Sequence, residues 1–178
     1  MATRPNLDNL DFLGRALDFI EMYDFDQELL KDVVRYPTTR EKDPHANEVG
    51  YPIYRFRRGD ITVVCGFKDP EHPHILHVLL HTPDDNESHG SVPGGSGVTK
   101  TPTSLTQVRG WLQNQGCKLE MGKTGQRVTY NGVFIGVLHQ TMRNPRQYMN
   151  FYANAKKKIA SVKAQEALRQ DVMDREMP

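Results

Sequence analysis

Residues 116–139 read Gly-Cys-Lys-Leu-Glu-Met-Gly-Lys-Thr-Gly-Gln-Arg-Val-Thr-Tyr-Asn-Gly-Val-Phe-Ile-Gly-Val-Leu-His, and the punctuation of this stretch decides the fold of the second half of the chain. Gly122 to Gly125 and Asn131-Gly132 are turn signals, the second being the strongest short hairpin signal because both of its residues tolerate a positive φ. The intervening residues predict three short strands over 117–121, 126–130 and 133–138. Upstream, Ser104 with Gln107 three residues later forms a capping box that opens a helix. Its apolar stripe is Leu105, Val108, Trp111 and Leu112, and Gly116 ends it. Downstream, Asn144 caps a final helix with Pro145 at its first position and Gln147 as the box partner. Tyr148, Phe151, Tyr152, Ala155, Ile159 and Val162 follow at helical spacing, so these aromatics read as core rather than as base-stacking platforms. Beyond Val162 the stripe becomes irregular, and the helix is expected to overhang the core. Residues 104–178 thus read as α-βββ-α, one sheet face covered by two helices.

The first half has its own pattern. Leu10, Leu13, Leu17 and Ile20 recur at helical spacing and predict a helix ending near Tyr23. Asp26 is the N-cap of a second, with Leu29, Leu30, Val33 and Val34 as its apolar face and Pro37 closing it. Residues 36–51 are polar, with Pro37, Pro44 and Gly50, and read as a long loop. Three strands follow. Tyr54 and Phe56 share a face, Arg58-Gly59-Asp60 turns, and Ile61, Val63, Cys65 and Phe67 alternate with smaller residues. A turn from Asp69-Pro70 to Pro73 leads to Leu76, Val78 and Leu80 on one face and Ile75, His77, Leu79 and His81 on the other. Residues 1–82 are therefore αα-βββ. Residues 83–103, with almost nothing apolar to bury, read as a flexible linker. The expected fold class is α+β: two small domains, each an antiparallel sheet packed on helices.

Charge divides the same way. Residues 1–82 carry 10 Lys/Arg against 14 Asp/Glu, and residues 104–178 carry 12 against 5, a contrast that the net +1 of the whole chain conceals. A basic half points to a polyanion, either nucleic acid or an acidic partner protein; the alternative is an acidic and a basic half that dock on each other. There is no apolar leader and no run approaching the roughly 18 residues of a membrane span, so a soluble, cytoplasmic protein is expected, without a membrane partner. Cys65 and Cys117 stand alone and read as core residues.

Gly122-Lys123-Thr124 looks like the end of a phosphate loop, but that motif needs a glycine where this chain has Cys117 and a helix where strand residues follow. It is a hairpin. His72, His74, His77 and His81 are close in sequence, yet strand residues four apart lie roughly 13 Å from each other, too far to share an ion, so no metal is expected. His77 stays a candidate general base because histidine titrates near neutrality. Arg55 and Arg57 fall together on the face opposite Tyr54 and Phe56, where they can bind phosphates or be held by acids of their own domain. Arg143 and Arg146 flank the start of the last helix, where free N–H groups favour an anion. Lys123 and Arg127 come from the hairpin, and Lys156 and Lys157 continue the charge along the helix.

Gly122-Lys123-Thr124-Gly125-Gln126-Arg127-Val128 and Met142-Arg143-Asn144-Pro145-Arg146, with Asn150 and Asn154, resemble the HicA-like toxins, in which a glycine-rich turn precedes strand two and a short segment opens the last helix. The resemblance covers about 104–160 and implies a double-stranded-RNA-binding-like fold acting on RNA. Residues 10–82 resemble, more distantly, the RelE and BrnT ribonuclease toxins. HicA-like ribonucleases place a histidine immediately after the glycine-rich turn, and here that position is Gln126, which cannot exchange a proton near neutral pH. His139, at the end of the third strand, is the candidate to replace it. The expectation is a toxin-like RNA-binding protein of phage or bacterial origin without intact HicA-type ribonuclease chemistry and with no cofactor. The alternative is a non-enzymatic module that binds an antitoxin or host protein.

Overall fold

The computed structural model describes residues 6–82, 101–141 and 144–177, with Asn47 described by its backbone alone. The chain is α+β and forms two compact units, one of 1–87 with 163–178 and the other of 88–162. Residues 83–100 of the expected linker lie outside the described residues.

The first unit is a five-stranded sheet backed by helices. Its elements are β1 (Asp11–Phe12), α1 (Arg15–Tyr23), α2 (Gln27–Arg35), β2 (Thr39–Lys42), α3 (Ala46–Val49), β3 (Ile53–Arg58), β4 (Ile61–Gly66) and β5 (His74–Leu80), in the sheet order β1-β5-β4-β3-β2. All pairs are antiparallel except β1 with β5. α2 forms as its sequence dictates: the Asp26 carboxylate accepts the Glu28 N–H at 3.0 Å, and Leu29, Leu30, Val33 and Val34 are all buried. α1 does not follow the expected stripe. The chain runs extended through Asp11–Phe12 because the carbonyls of Pro73 and Ile75 take the N–H groups of Asp11 and Leu13. Gly14, at φ +47°, then turns it into the helix. The shifted start leaves Leu13 and Leu17 43% and 46% exposed; Leu10 and Ile20 of the expected stripe reach the core, and Ala16 and Phe19 join them.

Two further expectations are corrected. The polar segment 36–51 is not a structureless loop: it contributes β2, the sheet edge paired to β3, and the short helix α3. A wholly exposed edge strand carries no apolar alternation, so Thr39–Lys42 gives no strand signal. On β5, Ile75 joins Val78 in the core rather than lying on the opposite face. The cause is a bulge, where Val64 pairs with His77 and Cys65 with Ile75, which leaves Leu76 without a partner and resets the alternation.

The second unit comprises α4 (Leu105–Asn114), β6 (Lys118–Met121), β7 (Gln126–Tyr130), β8 (Val133–Leu138) and the first part of α5 (Pro145–Glu176). Ser104 accepts the Gln107 N–H at 3.3 Å, while the Gln107 carboxamide reaches back to the Thr103 N–H at 2.9 Å, one residue beyond the expected box. Asn131 and Gly132 both adopt positive φ, 46° and 82°, as a two-residue hairpin turn requires. Val128, Ile135 and Leu138 on the sheet pack against Val108 and Leu112 of α4 and Ala155 and Ile159 of α5. The aromatics of α5 belong to this packing: Tyr148 and Phe151 border the core, and Tyr152 meets Trp111 edge-on at 4.6 Å.

The end of α5 is the largest departure from the sequence reading. Residues 163–178, assigned with 104–162 from the sequence and expected to overhang, belong to the first unit. Ala164 and Leu168 are buried in its core, with Val172 against it. These three follow one another at four-residue spacing but stand about half a turn around the helix from Ala155 and Ile159. The stripe therefore changes face rather than fading. Polar ties reinforce the docking: Gln165 accepts the Asp26 N–H at 3.2 Å, and Arg58 is held by Asp171 and by the Tyr36 carbonyl, with Arg175 bound to Asp32.

Candidate nucleic-acid interface

The division of α5 sharpens the charge contrast. Residues 104–162 carry nine Lys/Arg and a single acid, Glu120; residues 1–82 with 163–178 carry 13 against 18. Four of the five acids counted with the basic half from sequence belong to the first unit.

In the second unit the tight turn is closed by Gly122 N–H to Gly125 O at 2.8 Å and carries Lys123 exposed at its tip. His139 meets the same turn, its Nδ1 3.0 Å from the Thr124 carbonyl. A carbonyl can only accept, so Nδ1 carries the proton and Nε2 is the nitrogen left for a ligand. Gln126 shares the helix-facing side of β7 with Val128, and its Oε1 accepts from Arg109 Nε at 2.6 Å. The two candidates thus address different neighbours: His139 the turn, Gln126 the helix. Arg127 projects to the uncovered face, across from Glu120 and 5.3 Å from the ring centre of Phe134. Arg146 is exposed at the start of α5, its N–H capped by Asn144 at 2.9 Å. Lys156, half-buried, and Lys157, exposed, lie about 15 Å farther along the helix. His139 thus meets the turn that carries Lys123, Arg127 stands on the sheet, and Arg146, Lys156 and Lys157 follow along α5. Arg143 lies outside the described residues.

In the first unit the strand register places Arg55 and Arg57 on the sheet face away from α2, as alternation predicts. They line a depression of about 500 Å³ with Thr39, Thr62, Leu79 and His81. Sequence reasoning missed two features of it. His81 Nε2 is 2.9 Å from the Thr62 hydroxyl, and Glu41 enters from β2. Asp43 also takes Arg55 Nε at 2.6 Å. Burial works against ionisation of Asp43, but Arg55 and the His45 N–H outweigh it and hold the carboxyl below its usual range. Arg55 is thus matched by an acid, whereas Arg57, exposed, gives its Nε–H to the Gly59 carbonyl. His77 lies in the same cross-strand row as Arg55, with Val64 between them.

Burial, aided by the positive charge of Arg15, lowers the pKa of His77 from its ordinary 6.5. The unfolded chain then takes up the proton first as the pH falls, so the stability this neutral imidazole contributes is present above 6.5 and is lost as the pH drops through its folded value. His77→Gln is expected to flatten the decline of the urea midpoint between about pH 7 and pH 5; parallel profiles for the two proteins would refute this.

Among the described residues no group of three His, Cys, Asp or Glu could hold a metal ion, and no helix is long and apolar enough to cross a membrane. Both cysteines are buried and free, and burial pushes the Cys65 thiol far up, which makes it inert. No protein-family model, no curated protein and no solved structure matches the chain.

Proposed function

We propose that this is a toxin-like RNA-binding protein of phage or bacterial origin whose second unit, read as HicA-like, holds RNA without HicA-type ribonuclease chemistry. The observation that carries this reading is the charge of 104–162, nine cations to one acid within the second unit. Such an excess attracts a polyanion and repels other basic surfaces. Cleavage is disfavoured because the amide of Gln126 cannot exchange a proton near neutral pH and is already engaged by Arg109. The first unit, read as RelE-like, is net acidic, and its arginine pair is offset by Glu41 and Asp43. It is a weaker partner for RNA.

The test compares two variants for binding to a labelled RNA. Lys123→Ala/Arg127→Ala is expected to weaken binding and to reduce the slope of log affinity against log salt by about one to two, one for each phosphate no longer neutralised. Arg57→Ala, exposed and in the acidic unit, is expected to leave both nearly unchanged. Equal losses from the two variants would show that the basic unit is not the binding surface.

A further inference from the structure

The second unit exposes an aromatic ring where a core residue would be expected. Phe134, in the middle of an apolar run, is 45% exposed. The strand register explains why. With Val128, Ile135 and Leu138 committed to the helices, Phe134 falls on the opposite, uncovered face, where it pairs with Thr129, itself opposite Lys118. The neighbouring row on that face is Glu120, Arg127 and Val137. The Arg127 guanidinium lies over the Phe134 ring at 5.3 Å, which holds the cation beside the ring.

From this geometry we infer that Phe134 and Arg127 form a stacking platform for an unpaired base, and that the RNA bound by this unit is single-stranded. The inference rests on the RNA-binding reading and narrows its substrate. An exposed ring flanked by a guanidinium offers a base one π-face to stack on and a cation for the adjoining phosphate. A duplex cannot use it, because its base faces are already stacked on one another. A protein partner is the poorer fit: apart from Val137 in the next row, the ring is bordered by the polar and charged Lys118, Glu120, Arg127 and Thr129 rather than by a continuous apolar patch.

The experiment measures the affinity of the full chain for an oligouridylate of about ten nucleotides, for a duplex of the same length and for the oligouridylate backbone without bases. Wild type should prefer the single strand. Phe134→Ala should weaken single-strand binding at least about fivefold, with Phe134→Tyr retaining it and with the salt slope unchanged, because stacking rather than charge is removed. On the baseless backbone, Phe134→Ala should have no effect, which separates loss of stacking from damage to the fold. Single-strand binding that survives Phe134→Ala, or equal affinity for the duplex, overturns the platform and leaves the RNA-binding reading standing. Absence of binding to all three probes at low salt overturns both and leaves the ring to a protein partner.

Discussion

Leu168→Ala is expected to destabilise the first unit by about 3 kcal/mol, the cost of removing a buried leucine from a packed core. Leu168 is only 5% exposed and packs with Ala164 among residues of α1, α2 and the five-stranded sheet, more than eighty positions earlier in the chain. Ala167, the residue before it, is exposed, so Ala167→Ser should change stability by no more than about 0.5 kcal/mol. Hydrogen exchange at the amides of β4 reads this unit by itself. Had α5 overhung the fold beyond Val162, as its fading periodicity suggests, the two substitutions would be equally harmless.

Gly125→Ala should damage the second unit to a similar extent, by about 3 kcal/mol. A Cβ at this position would meet the Leu138 carbonyl oxygen at 2.7 Å and the His139 Cα at 3.1 Å. Both are backbone atoms that cannot swing aside, so β7 and β8 would have to separate at the end that carries Lys123 and His139. Gly110 is the contrasting case. It lies in α4 with nothing within 4 Å of its would-be Cβ, so Gly110→Ala should stabilise by up to about 1 kcal/mol through helix propensity. Thermal unfolding of the two variants reads both signs, and a neutral Gly125→Ala would show that the strands have room the packing denies them.

What could be read from the sequence was local. The Asp26 cap, the Ser104 cap and the Asn131-Gly132 turn each draw on residues within three or four positions, and each forms where expected. What escaped depends on distant partners. β1 exists because of carbonyls on Pro73 and Ile75; β2 is polar throughout; the tail of α5 is specified by a core built in the first half of the chain. The candidate sites divide along the same line. Alternation alone put Arg55 and Arg57 on one face, but the acids that offset them, Glu41 and Asp43, come from a segment read as loop. Counting charge over 104–178 likewise diluted the basic unit with four acids that pack elsewhere. The exposure of Phe134 was accessible in principle, since the commitment of Val128 and Ile135 to the core fixes the face of their neighbours.

The most direct test of RNA binding by the basic unit is the affinity of the wild-type chain for a short single-stranded RNA, measured at several salt concentrations between about 50 and 200 mM. Measurable binding is expected at the lowest salt, with a logarithm of affinity that falls linearly and steeply with the logarithm of salt, as cations displace counterions from phosphates. No binding at the lowest salt, or an affinity indifferent to salt, would be incompatible with RNA binding by this unit.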